Sequence, residues 1–146
     1  MPSITQPLPP NRTMPPCTII PVLGYSNVSE AIDWLCETFG FTERWRVGNH
    51  RAQLMFDSGA IVVTERKTKS AEATENNNTS MMVRVRYVDG HYEHVRQHGA
   101  SIVSAPTDYP YGERQYTVKD LAGHTWTFSQ SVQDLAPEDW GGRTKT

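Results

Sequence analysis

Two stretches of this chain carry the same succession of patterns, and that repetition limits the folds open to it more than any other feature. In the first, the β-branched apolar run Cys17–Gly24 (CTIIPVLG) predicts a strand. Pro21 inside it places that strand at a sheet edge or at a position that needs no ladder donor. Ser26 or Asn27 then caps a helix whose apolar stripe is Ala31, Ile32, Trp34, Leu35, Thr38 and Phe39, with Gly40 as its stop. Three strands follow, over 42–47, 51–57 and 60–66, joined at Gly48-Asn49 and Ser58-Gly59. In the second stretch, Ser80 to Tyr87 alternates as a strand. Val88 to His98 is a helix with Val88, Tyr92 and Val95 on one stripe, and Gly99 ends it. Strands follow near 100–104, 114–119 and 124–130, with turns at Pro106, at Pro110-Tyr111-Gly112 and at Ala122-Gly123.

Each half therefore reads strand, helix, strand, strand, strand. The helix stops correspond, Phe39-Gly40-Phe41 in one half and His98-Gly99-Ala100 in the other. The expected fold is α+β: two tandem βαβββ modules, residues 17–66 and 80–130, forming curved sheets around a cleft. A polar segment, 67–79, links them. Seven of the ten prolines fall within residues 1–21, so residues 1–16 read as an extended, flexible arm, free or laid across a partner subunit. Residues 131–146 are a tail expected to dock through Leu135 and Trp140 or, as a short acidic-aromatic segment, to contact a partner subunit.

Composition closes off several functions. A net charge of -2 argues against binding nucleic acid through bulk positive charge. No apolar run is long enough to span a membrane. The N-terminal residues lack the apolar core of a signal peptide, and Cys17 and Cys36 read as two free thiols, so the expected location is the cytoplasm. There is no G-x-S-x-G elbow and no phosphate-cradling glycine loop.

Three segments carry a resemblance to a known family: Ala31-Ile32-Asp33-Trp34-Leu35 through Phe39-Gly40-Phe41, Pro110-Tyr111-Gly112-Glu113-Arg114, and Asp120-Leu121-Ala122-Gly123-His124-Thr125-Trp126. Together they resemble the vicinal-oxygen-chelate superfamily of glyoxalase I, bleomycin-resistance proteins, fosfomycin-resistance enzymes and extradiol dioxygenases. The resemblance spans about residues 18–130. Leu121 stands where the family's last turn has proline. Enzymes of this family hold one divalent metal on the first and last strand of each module. Those positions align here with Ile20, Val62 or Val63, Ser80 and Thr127, none of which is an imidazole, carboxylate or thiolate donor. A register shift of two would bring Glu65 inward instead. The resemblance thus implies a fold built for a metal whose ligand positions are lost, with no cofactor, no catalytic residue and no metal ligand assigned. It also implies a homodimer.

Arg84 and Arg86 share a strand face and can grip an anionic ligand, or pair with carboxylates across the sheet. Tyr109, Tyr111 and Arg114 flank a turn that lies at the cleft mouth in the resembling family; they can stack on a planar ligand or simply anchor the loop. Trp45 and Met55 are candidate apolar cleft walls, with the facing of Gln53 and Met55 against Leu54 and Phe56 left open. His91, His94 and His98 recur on the second helix and are expected to flank its buried stripe toward solvent. The leading expectation is metal-independent binding or sequestration of a small organic molecule, an antibiotic or metabolite. The alternatives are a metal-dependent glyoxalase-like lyase, isomerase or dioxygenase, with Glu65 or Glu113 in play, and a pure interaction module with an occluded cleft.

Overall fold

The computed structural model describes residues 6–66 and 78–145. Strand β1 (Val22–Tyr25) leads into helix α1 (Val28–Trp34), which continues as a π-helical turn over Leu35–Phe39. Strands β2 (Thr42–Val47), β3 (Arg51–Phe56) and β4 (Gly59–Glu65) complete the first module. The second module holds β5 (Ser80–Arg84), α2 (Val88–Gln97), β6 (Ser101–Tyr109), β7 (Glu113–Lys119) and β8 (Thr125–Ser131). A 3-10 turn, Pro137–Trp140, follows. The strands form two separate four-stranded sheets, ordered β1-β4-β3-β2 and β5-β8-β7-β6. In each, the first strand lies parallel to the fourth, with Val22 opposite Val62 and Met82 opposite Thr127.

The expected two-module α+β fold is therefore present, with local differences. Strand β1 begins at Val22, not Cys17. Pro21 has no N–H to give a ladder, although its carbonyl still accepts from Val62 N–H at 2.9 Å. The expected second-half strand to Tyr87 stops at Arg84, after which Val85 N–H makes one more bond, 2.9 Å to Ser129 O. Pro106 does not turn the chain. It lies within β6, an edge strand whose register shifts between Ile102 and Ser104 and between Ser104 and Thr107, where a missing donor is tolerated. Most of the expected linker, 67–77, lies outside the described residues.

Asn27 is the cap of α1, its Oδ1 accepting Glu30 N–H at 3.0 Å. Gly40 ends the π turn with φ +97°, a left-handed conformation that costs glycine little. One core joins the modules through their helix-side faces. Phe39 packs edge-on against Trp126 and Phe128, at ring distances of 5.3 and 5.0 Å, and Phe41 against Trp126 at 5.6 Å. Leu23, Leu54 and Val63 join it from the first sheet, Tyr116 and Val118 from the second. The opposite face of each sheet, here called its open face, is left outside this core.

The buried carboxylate of Asp120 holds the seam. Its Oδ2 accepts the Tyr25 hydroxyl at 2.6 Å and Trp126 Nε1–H at 3.0 Å, and its Oδ1 accepts the amides of Ala122 and His124. His91 is the second tie. It does not face solvent as expected, because α2 packs against the π turn of the first module as well as against its own sheet. The ring bonds the Phe39 carbonyl through Nε2 at 2.8 Å, so Nδ1 is the acceptor for the Tyr116 hydroxyl at 2.5 Å. Burial pushes the His91 pKa down. The His94 and His98 rings lie 4.2 Å apart, tilted by 37°, and His94 reaches the Glu37 carbonyl. No helix among the described residues is long and apolar enough to cross a membrane.

Candidate functional site

Alternation along the strands sorts the candidate residues between the two faces. In the first sheet Ala52 and Leu54 face the helix and are fully buried, so Gln53 and Met55 take the open face. Trp45 is opposite Gln53 in β2 and joins them. In the second sheet Tyr116 and Val118 face the helix, so Glu113, Gln115 and Thr117 are on the open face, paired with Ser131, Ser129 and Thr127. These make a polar ladder. The Thr117 and Thr127 hydroxyls are 3.0 Å apart. Gln115 Nε2–H donates to Ser129 Oγ at 3.3 Å and to Glu113 Oε1 at 3.2 Å, and the Ser129 hydroxyl donates to the same Glu113 oxygen. Arg84 sits at the rim of this ladder, donating to Ser131 Oγ at 3.2 Å.

The seven candidate residues do not converge on one point within a chain. Arg84 lies between the ladder and a groove of about 630 Å³ that runs between the modules, lined also by Pro21, Phe56, Met82 and Arg86. Arg86 reaches across that groove to Asp57 at 3.4 Å, an exposed pair of small energetic weight. Tyr109 stacks on Tyr111 with ring centroids 5.4 Å apart, and Tyr111 meets Trp140 edge-on at 5.6 Å, which seats the C-terminal segment. Burial raises the Tyr111 pKa, with the neighbouring Tyr109 and Glu113 adding to it. Arg114 turns to the helix side, where Asp89 at 2.9 Å and Asp108 at 3.1 Å hold it. Trp45 and Met55 lie on the first sheet's open face.

The N-terminal arm lies on that same face. Thr13 O accepts Trp45 Nε1–H at 3.2 Å and Gln53 Nε2–H at 3.2 Å, while Arg44 donates to Arg12 O at 3.0 Å. Further along, the Cys17 thiol reaches Ser58 O at 3.0 Å. Gln53 is only 1% exposed, although it lies on a face that the core does not cover. Neither Arg44 nor Gln53 stands out in the sequence as a site residue, because their bonds to the arm are to backbone carbonyls, which any sequence carries.

The open-face strand positions do not suit a divalent metal. Val62 on the first sheet and Ser80, Met82 and Thr127 on the second occupy them, none a donor such a metal prefers, and Ile20 precedes β1. Glu65 pairs with His50 at 3.0 Å on the exposed end of β4. Glu113 is a single carboxylate whose Oε1 is engaged by the ladder. Among the described residues no three His, Cys, Asp or Glu side chains cluster as a metal would require. Both cysteines are free, and burial raises the Cys36 thiol.

Two βαβββ modules share one helix-side core and leave the opposite faces of their sheets outside it. The family model for the Glyoxalase/Bleomycin resistance protein/Dioxygenase superfamily matches residues 18–128, and the chain belongs to that superfamily. Among solved structures it is similar to TioX from Micromonospora sp. ML1, with 30% identity and a TM-score of 0.67 over 82% of this chain and 100% of that one. A bleomycin-binding protein from Streptomyces verticillus, solved with copper(II)-bleomycin, shares the fold at 19% identity and TM-score 0.60, over 77% of this chain and 93% of that one. The fosfomycin resistance protein FosX from Listeria monocytogenes does so at 12% identity and TM-score 0.64, over 86% and 98%. No curated protein matches this chain.

Proposed function

We propose that this chain is a cytoplasmic, metal-independent binding protein that sequesters a small organic molecule, an antibiotic or metabolite, on the open faces of its sheets. The observation that carries the reading is the chemistry of those faces. They combine the Arg84 guanidinium and hydrogen-bonding amides and hydroxyls with Trp45 and Met55, and among the described residues they offer no set of imidazole or carboxylate donors for a metal. Such a surface holds a ligand by shape, charge and hydrogen bonding. The bleomycin-binding neighbour is a protein of this fold whose bound molecule is an antibiotic.

A homodimer belongs to the same proposal. Strands β1 and β5 each end a sheet, and apolar side chains crowd that side: Ile19 is 83%, Val22 54% and Met82 65% exposed. A second copy that sets its first sheet beside β5 covers them. It also brings Trp45, Gln53 and Met55 of one chain to face Arg84 and the polar ladder of the other, with Tyr109 and Tyr111 toward the rim.

A thermal-shift panel of antibiotics and aromatic acids, run with and without EDTA, tests the function. At least one saturable ligand whose stabilisation survives the chelator is expected. Stabilisation that appears only with an added divalent metal overturns the reading in favour of a metal-dependent enzyme.

A further inference from the structure

Three side chains of the first sheet converge on the backbone of the arm. In a regular strand Arg44 and Trp45 point to opposite faces. Here the register of β2 against β3 shifts between Glu43 and Trp45, and this bulge allows both residues to reach the same side. Arg44 donates to Gln53 Oε1 at 2.5 Å and to Arg12 O at 3.0 Å. That contact orients the Gln53 amide so that its Nε2–H points at Thr13 O, alongside Trp45 Nε1–H. Two consecutive peptide carbonyls are thus read by three side chains. These contacts are made to the arm's backbone. Asn11 Oδ1 accepts Thr13 N–H and Oγ1–H, closing a turn that presents the two carbonyls.

We propose that Arg44, Trp45 and Gln53 form a subsite for consecutive amide carbonyls, which the arm fills in the free protein and an amide-rich, peptide-like ligand fills by displacing it. Without an acceptor, the buried Gln53 amide and the indole N–H would lose their partners, so the face favours an occupant that offers carbonyls over an apolar one. The arm is a tethered competitor, present at roughly millimolar effective concentration, and it screens out weak binders. The inference rests on the proposed function only in taking the open face as the ligand surface.

The test uses the full chain and the peptide of residues 9–16, acetylated and amidated. Pro15 is buried between the Thr13 and Cys17 anchors, so Pro15→Asp undocks the arm by placing a charge in a buried position. In that variant the peptide is expected to bind saturably and to move the Trp45 indole N–H resonance. In the unmodified chain its affinity is expected to be at least about tenfold weaker. Adding Trp45→Phe or Gln53→Leu to Pro15→Asp is expected to weaken the peptide about three- to tenfold per lost hydrogen bond. Thermal melts report whether each variant is folded, and the two second-site variants provide independent readings.

Failure of the peptide to bind folded Pro15→Asp, or binding indifferent to both second-site changes, overturns the subsite. Peptide binding with no hit from the small-molecule panel instead supports the subsite and counts against the broader small-molecule reading.

Discussion

The hydroxyl of Tyr25, in the first strand, donates to the Asp120 carboxylate at 2.6 Å in the turn before the last strand, across 95 positions of sequence. Both groups are buried, and burial together with the adjacent carboxylate keeps the phenol protonated. The same carboxylate satisfies Trp126 and two amides of its own turn. The residue that makes the second module's turn therefore also locks it to the first.

Replacing Tyr25 by Phe removes one hydrogen bond to a charged acceptor and is expected to cost about 1.5–3 kcal/mol in urea denaturation. Asp120→Asn is expected to cost more, because its one oxygen can serve either Tyr25 and Trp126 or the amides of Ala122 and His124, and its NH2 group then faces the other pair of donors. A double-mutant cycle should give clear coupling between the two sites, and additivity would show that the bond does not hold the modules together.

His91 makes stability depend on pH. Burial lowers its folded pKa below the unfolded value of about 6.5, so its stabilising contribution is complete above that value. As pH falls, the unfolded chain takes up a proton that the folded one resists. Stability then drops by up to about 1.4 kcal/mol per pH unit until the folded pKa is passed. Wild type and His91→Gln, melted from pH 8 to pH 5, should differ by this slope. Parallel curves would show that His91 does not titrate as described.

Gly112 has φ +86°, and a Cβ there would collide with the carbonyl oxygen of Gln133. Its own carbonyl accepts the amides of Val132 and Gln133 at 2.9 and 3.1 Å, tying the β6–β7 turn to the end of β8. Gly112→Ala is expected to destabilise the fold by about 1–3 kcal/mol and to speed amide exchange at Val132 and Gln133. Unchanged exchange would mean that this close approach is not maintained in solution.

Arg84 and Arg114 should separate binding from structure. Arg84→Ala is expected to weaken an anionic ligand about tenfold or more. Arg114→Ala, which releases Asp89 and Asp108 on the helix side, should lower the melting temperature and leave the dissociation constant unchanged. The reverse pattern would place the ligand at the hairpin.

Much of this arrangement could be read from sequence because it is periodic. The stripe of α1, the alternation of Met81 and Val83 against Met82 and Arg84, and the turn from Asp120 to Trp126 mark the two modules and their helix-side faces. What sequence could not show depends on non-periodic contacts. The bulge at Glu43 and Trp45 decides where Arg44 points, and nothing in TERWRV announces it. The arm docks through the carbonyls of Arg12 and Thr13, so its proline-rich composition suggests only extension. His91 falls beside the apolar stripe of α2, and a helix covered on two sides buries residues that a single stripe would leave in water.

Ligand binding on the open faces is proposed to need no metal. The most direct measurement is calorimetric titration of the best panel ligand into protein treated with EDTA and dialysed, set against untreated protein and protein reloaded with one equivalent of zinc or manganese. The same affinity and a stoichiometry of one site per chain are expected in all three. Binding lost after treatment and restored by the metal would contradict it.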